Sequence, residues 1–183
     1  MRATRHQEPE GVQAIARHYL GDLVYGANDG LITTFAVVAG VSGGQLSSRA
    51  LLIVGAANLF ADGLSMGVGN YLSIRSREGA LAAENLPEEE ASPVRHGLAT
   101  WLAFMCAGAV PLMPFSVGGV GAPALWLSIG LTFASLFGIG AARAWLTVDR
   151  WWKAGLEMFA LGVVVALAAY ASGAAIGAVL DAS

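Results

Sequence analysis

The chain has 183 residues, of which 56% are hydrophobic and 13% charged, with a formal net charge of -3 and a mean hydropathy of +0.61. A water-soluble domain of this length cannot bury so many apolar side chains, so the composition predicts an integral membrane protein. The sequence shows no basic patch suited to nucleic acid, no paired nucleophile and base, and no phosphate-binding loop, so we expect neither nucleic-acid binding nor enzymatic activity.

The first 22 residues are polar and lack the apolar core of a secretory signal, so we expect residues 1–22 to be a cytoplasmic segment. Residues 23–183 are expected to form a transmembrane domain with five apolar segments, each near the ~20 residues that cross a bilayer. Because these segments are continuously apolar and do not alternate, they predict helices and not a barrel. The predicted segments of this all-α membrane protein are Leu23–Val41, Ala50–Leu72, Leu98–Val117, Pro123–Leu146 and Ala154–Leu180.

Basic residues lie mostly on one side of the predicted membrane. Of the 10 arginines and lysines, only Arg49 falls between the first and second segments, and the other side holds the rest. By the positive-inside rule the N-terminus is cytoplasmic, and five crossings leave the C-terminus outside. The short chain and the lack of a targeting sequence are typical of a prokaryotic cytoplasmic (inner) membrane.

Two aspartates, Asp29 and Asp62, lie inside the first two apolar segments. A charged side chain near the bilayer centre costs roughly 2.5–3.5 kcal/mol on insertion scales, so such residues usually mark a polar pathway. Helical spacing places Asp62 on one face with further polar or polarisable residues, and Asp29 lies beside Asn28 and one turn before Thr33. The residues that share the face of Asp62 are Asn58, Ser65, Met66 and Asn70.

Carboxylate and amide oxygens suit hard divalent cations, and the thioether of Met66 shifts the preference toward Fe²⁺ or Mn²⁺. No histidine lies in a predicted segment, which disfavours zinc or copper, and His6, His18 and His96 are expected to be ordinary surface residues. Fe²⁺ or Mn²⁺ would be a transported substrate, and no cofactor is expected. The candidate metal ligands are Asp29, Asp62, Met66 and Asn58, and the candidate pathway or proton-coupling residues are Asn28, Thr33, Ser65, Asn70 and Glu157.

Each candidate also has a structural interpretation. The aspartates and asparagines could bond neighbouring helices, Met66 could be core, and Glu157 could neutralise Lys153 one turn before it. The connection 73–97 is expected to be a short acidic cytoplasmic loop; its glutamates could attract cations, although a solvated loop is favoured. The glutamates of this connection are Glu84, Glu88, Glu89 and Glu90.

Glycines at close spacing, such as Gly26 and Gly30, favour helix packing.

The motif Asp29-Gly30-Leu31, followed by Phe35-Ala36 and Ala39-Gly40, resembles the first transmembrane helix of the vacuolar iron transporter family. The string Ser65-Met66-Gly67-Val68-Gly69-Asn70-Tyr71-Leu72 is similar to its second helix, and Pro111 with Pro114 falls where the third carries paired prolines. The chain has Asn58 where the family often has glutamate, and Asp62 where it usually has a small residue. The 73–97 connection is too short for the glutamate-rich metal-binding domain of plant members, so the resemblance is to a short, prokaryotic-type member.

The resemblance implies a homodimer of five-helix subunits in the lipid bilayer that exports Fe²⁺, and in some members Mn²⁺, from the cytosol in exchange for protons. It also implies that Asp29 and Met66 line the metal path. Two other functions stay open: a membrane scaffold or regulatory subunit that transports nothing, and a transporter of another cation such as Ca²⁺ or a small organic cation. A scaffold has no reason to collect Asn58, Asp62 and Met66 on one helix face.

Overall fold

The computed structural model describes residues 11–90, 92–117 and 121–182, which form helices joined by short turns, with no β-strand in these ranges. The fold is all-α, as the composition predicts. The helices are α1 (Val12–His18), α2 (Leu20–Gly43), α3 (Ser48–Ala83), α4 (Pro93–Gly108), a 3-10 turn (Val110–Leu112), α5 (Met113–Ser116), α6 (Gly121–Arg143) and α7 (Trp151–Asp181).

Five helical spans in the described part of the chain are long and apolar enough to cross a membrane, which confirms the predicted number. The third span runs Pro93–Ser116 and combines α4, the 3-10 turn and α5. All five begin earlier than the apolar segments do. Three of them also end later, whereas the third and fourth end at Ser116 and Arg143, before the predicted Val117 and Leu146. Apolarity marks the membrane crossing, but helix ends depend on capping and turn residues.

The end of α3 shows this difference most clearly. The helix continues 11 residues beyond Leu72 to Ala83, so the first part of the 73–97 connection is helix and not loop. Arginine, glutamate, alanine and leucine in this part favour helix in water. The helix then stops at a left-handed Asn85 with φ of 58°, where the Leu86 N–H donates to the Leu81 carbonyl at 2.9 Å. This turn directs the chain back toward the bundle.

Helix α2 occupies the centre of the bundle and packs against α3, α4, α6 and α7. Its side chains Phe35 and Val38 join Phe104 of α4 and Leu51 of α3 in the main apolar cluster. The buried side chains of α2 therefore lie beside other helices, whereas Leu23 and Tyr25 are exposed. Polar residues on α2 are correspondingly placed between helices and not toward lipid alone.

Glycines allow the helices to approach backbone to backbone. Gly26 and Gly30 of α2 lie against the carbonyls of Thr100 and Phe104 of α4, with no space for a side chain. Between α3 and α4, a Cβ on Gly97 would stand 2.6 Å from the Gly67 carbonyl oxygen. Small residues at such spacing are how membrane helices obtain close van der Waals contact. The packing interpretation of these glycines is confirmed.

Proline interrupts the third span, as its sequence indicates. Regular α-helix stops at Gly108, and the chain passes through a 3-10 turn that contains Pro111 before α5 begins at Met113. The carbonyl released at Pro111 accepts a 2.7 Å hydrogen bond from the buried Ser128 hydroxyl of α6. The hydrogen-bonding requirement of this carbonyl is met within the bundle, as the absence of water in a bilayer requires.

Two glycines on α6 provide a matched test of this packing. A Cβ on Gly140 would meet the Ala154 carbonyl and lie 2.9 Å from the Gly155 Cα, whereas a Cβ on Gly138 would enter open space. Both changes to alanine gain similar helix propensity, about 1 kcal/mol in soluble hosts. We expect Gly140→Ala to lower the midpoint of thermal unfolding in detergent and Gly138→Ala to leave it unchanged or raised. Equal midpoints for the two variants would contradict the proposed α6–α7 contact.

Candidate functional site

Asp29 of α2 and Asp62 of α3 are both partly buried. Their carboxylates are close enough for the charge of Asp62 to act on Asp29. Thr33, one turn along α2, donates its hydroxyl to the Asp29 backbone carbonyl at 2.8 Å. The structure therefore brings together the two acids that the sequence singles out. Two like charges at such a place repel each other unless a cation or a proton is shared between them.

Met66 lies one turn beyond Asp62 and is partly buried. It packs against the main apolar cluster, which includes Leu59 and Phe104. The side chain thus combines a core contact with a position next to the acidic pair. Asn58 is partly buried one turn before Asp62, and Ser65 is exposed on the same helix.

Asn28 and Glu157 border a different part of the molecule. Both line a cavity of about 400 Å³ between α2, α6 and α7, together with Arg143 and Met158. The Asn28 Oδ1 is buried and accepts no hydrogen bond from the described residues. Glu157 pairs with Arg143 at 2.5 Å, while the Lys153 ammonium lies over the Trp152 ring. Neutralisation of Glu157 thus comes from α6 and not from Lys153.

We call the end of the bundle that carries Arg17, Arg75, Arg95, Arg143 and Lys153 the basic end. Here Asn70 of α3 donates one 2.7 Å hydrogen bond to the Asp22 Oδ1 of α2 and another to the Thr100 hydroxyl of α4. Asn70 therefore links three helices. This is the interhelical role that the sequence left open as its alternative to a pathway role.

His96 of α4 lies in the same cluster and is only 7% exposed, so the expectation of an ordinary surface histidine is wrong. Its Nδ1 is 2.5 Å from the Asp22 Oδ2, and its Nε2 is 3.0 Å from the Glu90 Oε2. His18 of α1 is partly buried, with its Nε2 3.4 Å from the same Glu90 oxygen. His6 lies outside the described residues. The missed signal was the four-residue spacing of His96, Thr100 and Phe104, which places all three on the inward face of α4.

The acidic connection is only partly a solvated loop. Glu84 and Glu89 are exposed, Glu88 is partly buried, and Glu90 is 8% exposed. Glu89 pairs with Arg77 at 2.9 Å. Glu78 of α3 accepts the N–H of Glu90 at 2.9 Å, which fixes the chain where Glu90 turns inward. One glutamate of the four thus differs from the expected solvated state.

Comparison with known proteins places the chain in one family. The VIT family model matches residues 20–89 and 79–174, and the two matches overlap at residues 79–89, from the last turns of α3 into the α3–α4 connection. Vacuolar iron transporter 1 of Eucalyptus grandis is 27% identical over 206 aligned positions, covering 81% of this chain and 83% of the relative. Vacuolar iron transporter homolog 1 of Oryza sativa subsp. japonica is 32% identical over 169 positions, covering 83% and 72%. The vacuolar iron transporter of Toxoplasma gondii is 42% identical over 81 positions, covering 39% and 27%. The chain belongs to the VIT family.

Proposed function

We propose that this metal transporter of the VIT family carries Fe²⁺, and also Mn²⁺, out of the cytosol in exchange for protons. The observation that carries the proposal is that Asp29 on α2 and Asp62 on α3 are close enough for their charges to interact, with Met66 one turn after Asp62. The names of the similar proteins, which describe vacuolar iron transporters, support iron as the substrate. We do not expect enzymatic activity, since the family consists of transporters.

The paired carboxylates explain how metal and protons could be exchanged. A divalent cation between Asp29 and Asp62 neutralises both carboxylates, and protons bound to the two carboxylates neutralise them as well. The two loaded states exclude each other because they use the same oxygen atoms. Such exclusion is what antiport needs, since each ligand shifts the site away from the state that binds the other.

The distribution of charge supports the direction of transport. The basic end carries nearly all described arginines and lysines, whereas Arg49 lies at the other end, in the first turn of α3. By the positive-inside rule the basic end faces the cytoplasm and the end of α7 faces outside. The short α3–α4 connection differs from that of plant members, and on that ground we propose a prokaryotic cytoplasmic membrane.

The exposed side of α3 supports a homodimer. Asp62 is only partly buried within one chain, and Ser65 and Gly69 nearby are exposed. A polar stripe facing hydrocarbon is costly, so a second copy covering α3 would remove a penalty that a single chain retains. Native mass spectrometry from detergent should give a species of twice the 18.8 kDa subunit mass. A species of one subunit mass under mild conditions would contradict the dimer.

Metal flux into liposomes tests the function directly. With an imposed pH gradient, the wild-type protein should move Fe²⁺ and Mn²⁺, and Asp29→Asn or Asp62→Asn should reduce that flux about tenfold or more, because each removes a charged ligand. Asp181→Asn at the exposed end of α7 is the matched control and should retain full flux. A folded wild-type protein without flux above empty liposomes would favour the scaffold function instead.

Replacement of Met66 by leucine separates transition-metal from calcium transport. The change conserves volume, so the contact with the apolar cluster should persist. Loss of the thioether should lower Fe²⁺ flux relative to Ca²⁺ flux, because only the softer metal gains from sulfur. If the ratio of Fe²⁺ to Ca²⁺ flux stays the same in Met66→Leu, the selectivity comes from oxygen ligands and Met66 is a core residue.

A further inference from the structure

We propose that His18, Glu90 and His96 form a second metal site at the basic end, separate from the Asp29–Asp62 pair, which takes a divalent transition-metal ion. Metal binding there does not depend on the proposed function. Its use as an entry site for transported metal rests in addition on the proposed function. The three residues come from α1, from the connection after α3, and from α4, so the site forms only in the folded bundle.

The spacing of the three side chains fits one ion. The ligand atoms all lie within 4.8 Å of one another. The Glu90 Oε2 is 3.0 Å from the His96 Nε2 and 3.4 Å from the His18 Nε2. Tetrahedral ligands about 2.0–2.2 Å from a metal lie roughly 3.3–3.6 Å apart. The two distances from Glu90 are close to this spacing, and the two histidine ligand atoms, at most 4.8 Å apart, would approach each other by up to about 1.5 Å on binding.

Asp22 orients His96 toward the site. With a proton on Nδ1, the imidazole donates to the Asp22 Oδ2 at 2.5 Å, and Nε2, which is 3.0 Å from the Glu90 Oε2, keeps its lone pair for a metal. Asp22 is itself held by the 2.7 Å hydrogen bond from Asn70. A carboxylate that fixes the tautomer of a histidine is the usual outer partner of a metal-bound imidazole. Asp22 is accordingly a positioning residue.

The His96 Nε2 provides an independent sign of a missing ligand. It is buried and makes no hydrogen bond with the described residues, although the Glu90 carboxylate oxygen is only 3.0 Å away. A nitrogen lone pair and a carboxylate oxygen repel each other at this distance unless a cation lies between them. The competing arrangement is an imidazolium that bears both protons between Asp22 and Glu90, and metal binding distinguishes the two.

The ligand types define the class of ion. Two imidazoles and one carboxylate favour first-row transition metals such as Fe²⁺, Co²⁺ or Zn²⁺ over Ca²⁺ and Mg²⁺. Three protein ligands leave further positions to water, which lets an ion leave again. Asp22 precedes Asp29 by seven residues, about 10 Å along α2. An ion released from the site would thus be close to the acidic pair.

An equilibrium titration with Co²⁺ tests the site without relying on transport. The full chain is purified in detergent with Asp29→Asn and Asp62→Asn together, which removes the acidic pair, and Co²⁺ binding is followed by visible absorption. We expect one Co²⁺ per chain. His18→Asn or Glu90→Gln, added to this background, should weaken binding about tenfold or more. Asp149→Asn, an exposed acid in the α6–α7 connection, should leave it unchanged.

Each outcome decides the proposal. His96→Asn should also abolish binding, but His96 and Glu90 are both buried, so the conclusion rests mainly on the partly buried His18, and thermal unfolding is measured for every variant. The site would be overturned, and the imidazolium favoured, if the folded background protein bound no Co²⁺. The same conclusion would follow if His18→Asn and Glu90→Gln bound Co²⁺ as tightly as the background protein does. Intact Co²⁺ binding with no metal flux in the wild type would contradict transport and leave the site standing.

Discussion

Every polar group placed in hydrocarbon must find its partner inside the protein, because no water is available to replace one. This requirement organises α2, which carries two carboxylates at different depths. Asp22 satisfies it near the basic end through Asn70 and His96. Asp29 lies within reach of the charge of a second acid, Asp62. One carboxylate thus joins helices, and the other belongs to the pair that we propose as the metal site.

The glycine contacts make this arrangement possible. Because Gly26 and Gly30 bring α4 against α2, the polar side chains of the two helices come within hydrogen-bonding distance without water between them. The same contact brings His96 to Asp22, and Thr100 to Asn70, which also donates to Asp22. The close packing of α2 and α4 and the polar contacts of Asp22 therefore depend on each other. A larger residue at Gly26 or Gly30 would move α4 away from α2 and separate His96 from Asp22.

Much of the architecture follows from sequence pattern alone. Five apolar segments of bilayer length predict the five spans, and helical spacing predicts that Asn58, Asp62, Met66 and Asn70 share a face. Spacing does not tell depth, however. Twelve residues, about 18 Å along the helix, separate Asn58 from Asn70, so the two ends of this face meet different partners.

The remaining features depend on contacts between distant parts of the chain. His96 precedes the apolar segment that begins at Leu98, so hydropathy assigns it to the surface, whereas α4 already begins at Pro93 and turns it inward. The partner of Glu157 is Arg143 on the preceding helix, which a search for charges one turn apart cannot find. The inward turn of Glu90 depends on Glu78, 12 residues earlier.

The central claim is that metal passes between α2 and α3 at Asp29 and Asp62. Anomalous diffraction from crystals of the wild-type protein soaked in Mn²⁺ and in Co²⁺ tests it most directly, since the signal locates the ion itself. The account predicts an anomalous peak between the two helices, within coordination distance of both carboxylates, that is lost in Asp29→Asn crystals. Peaks confined to other parts of the protein, with the α2–α3 interface empty at saturating metal, would contradict it.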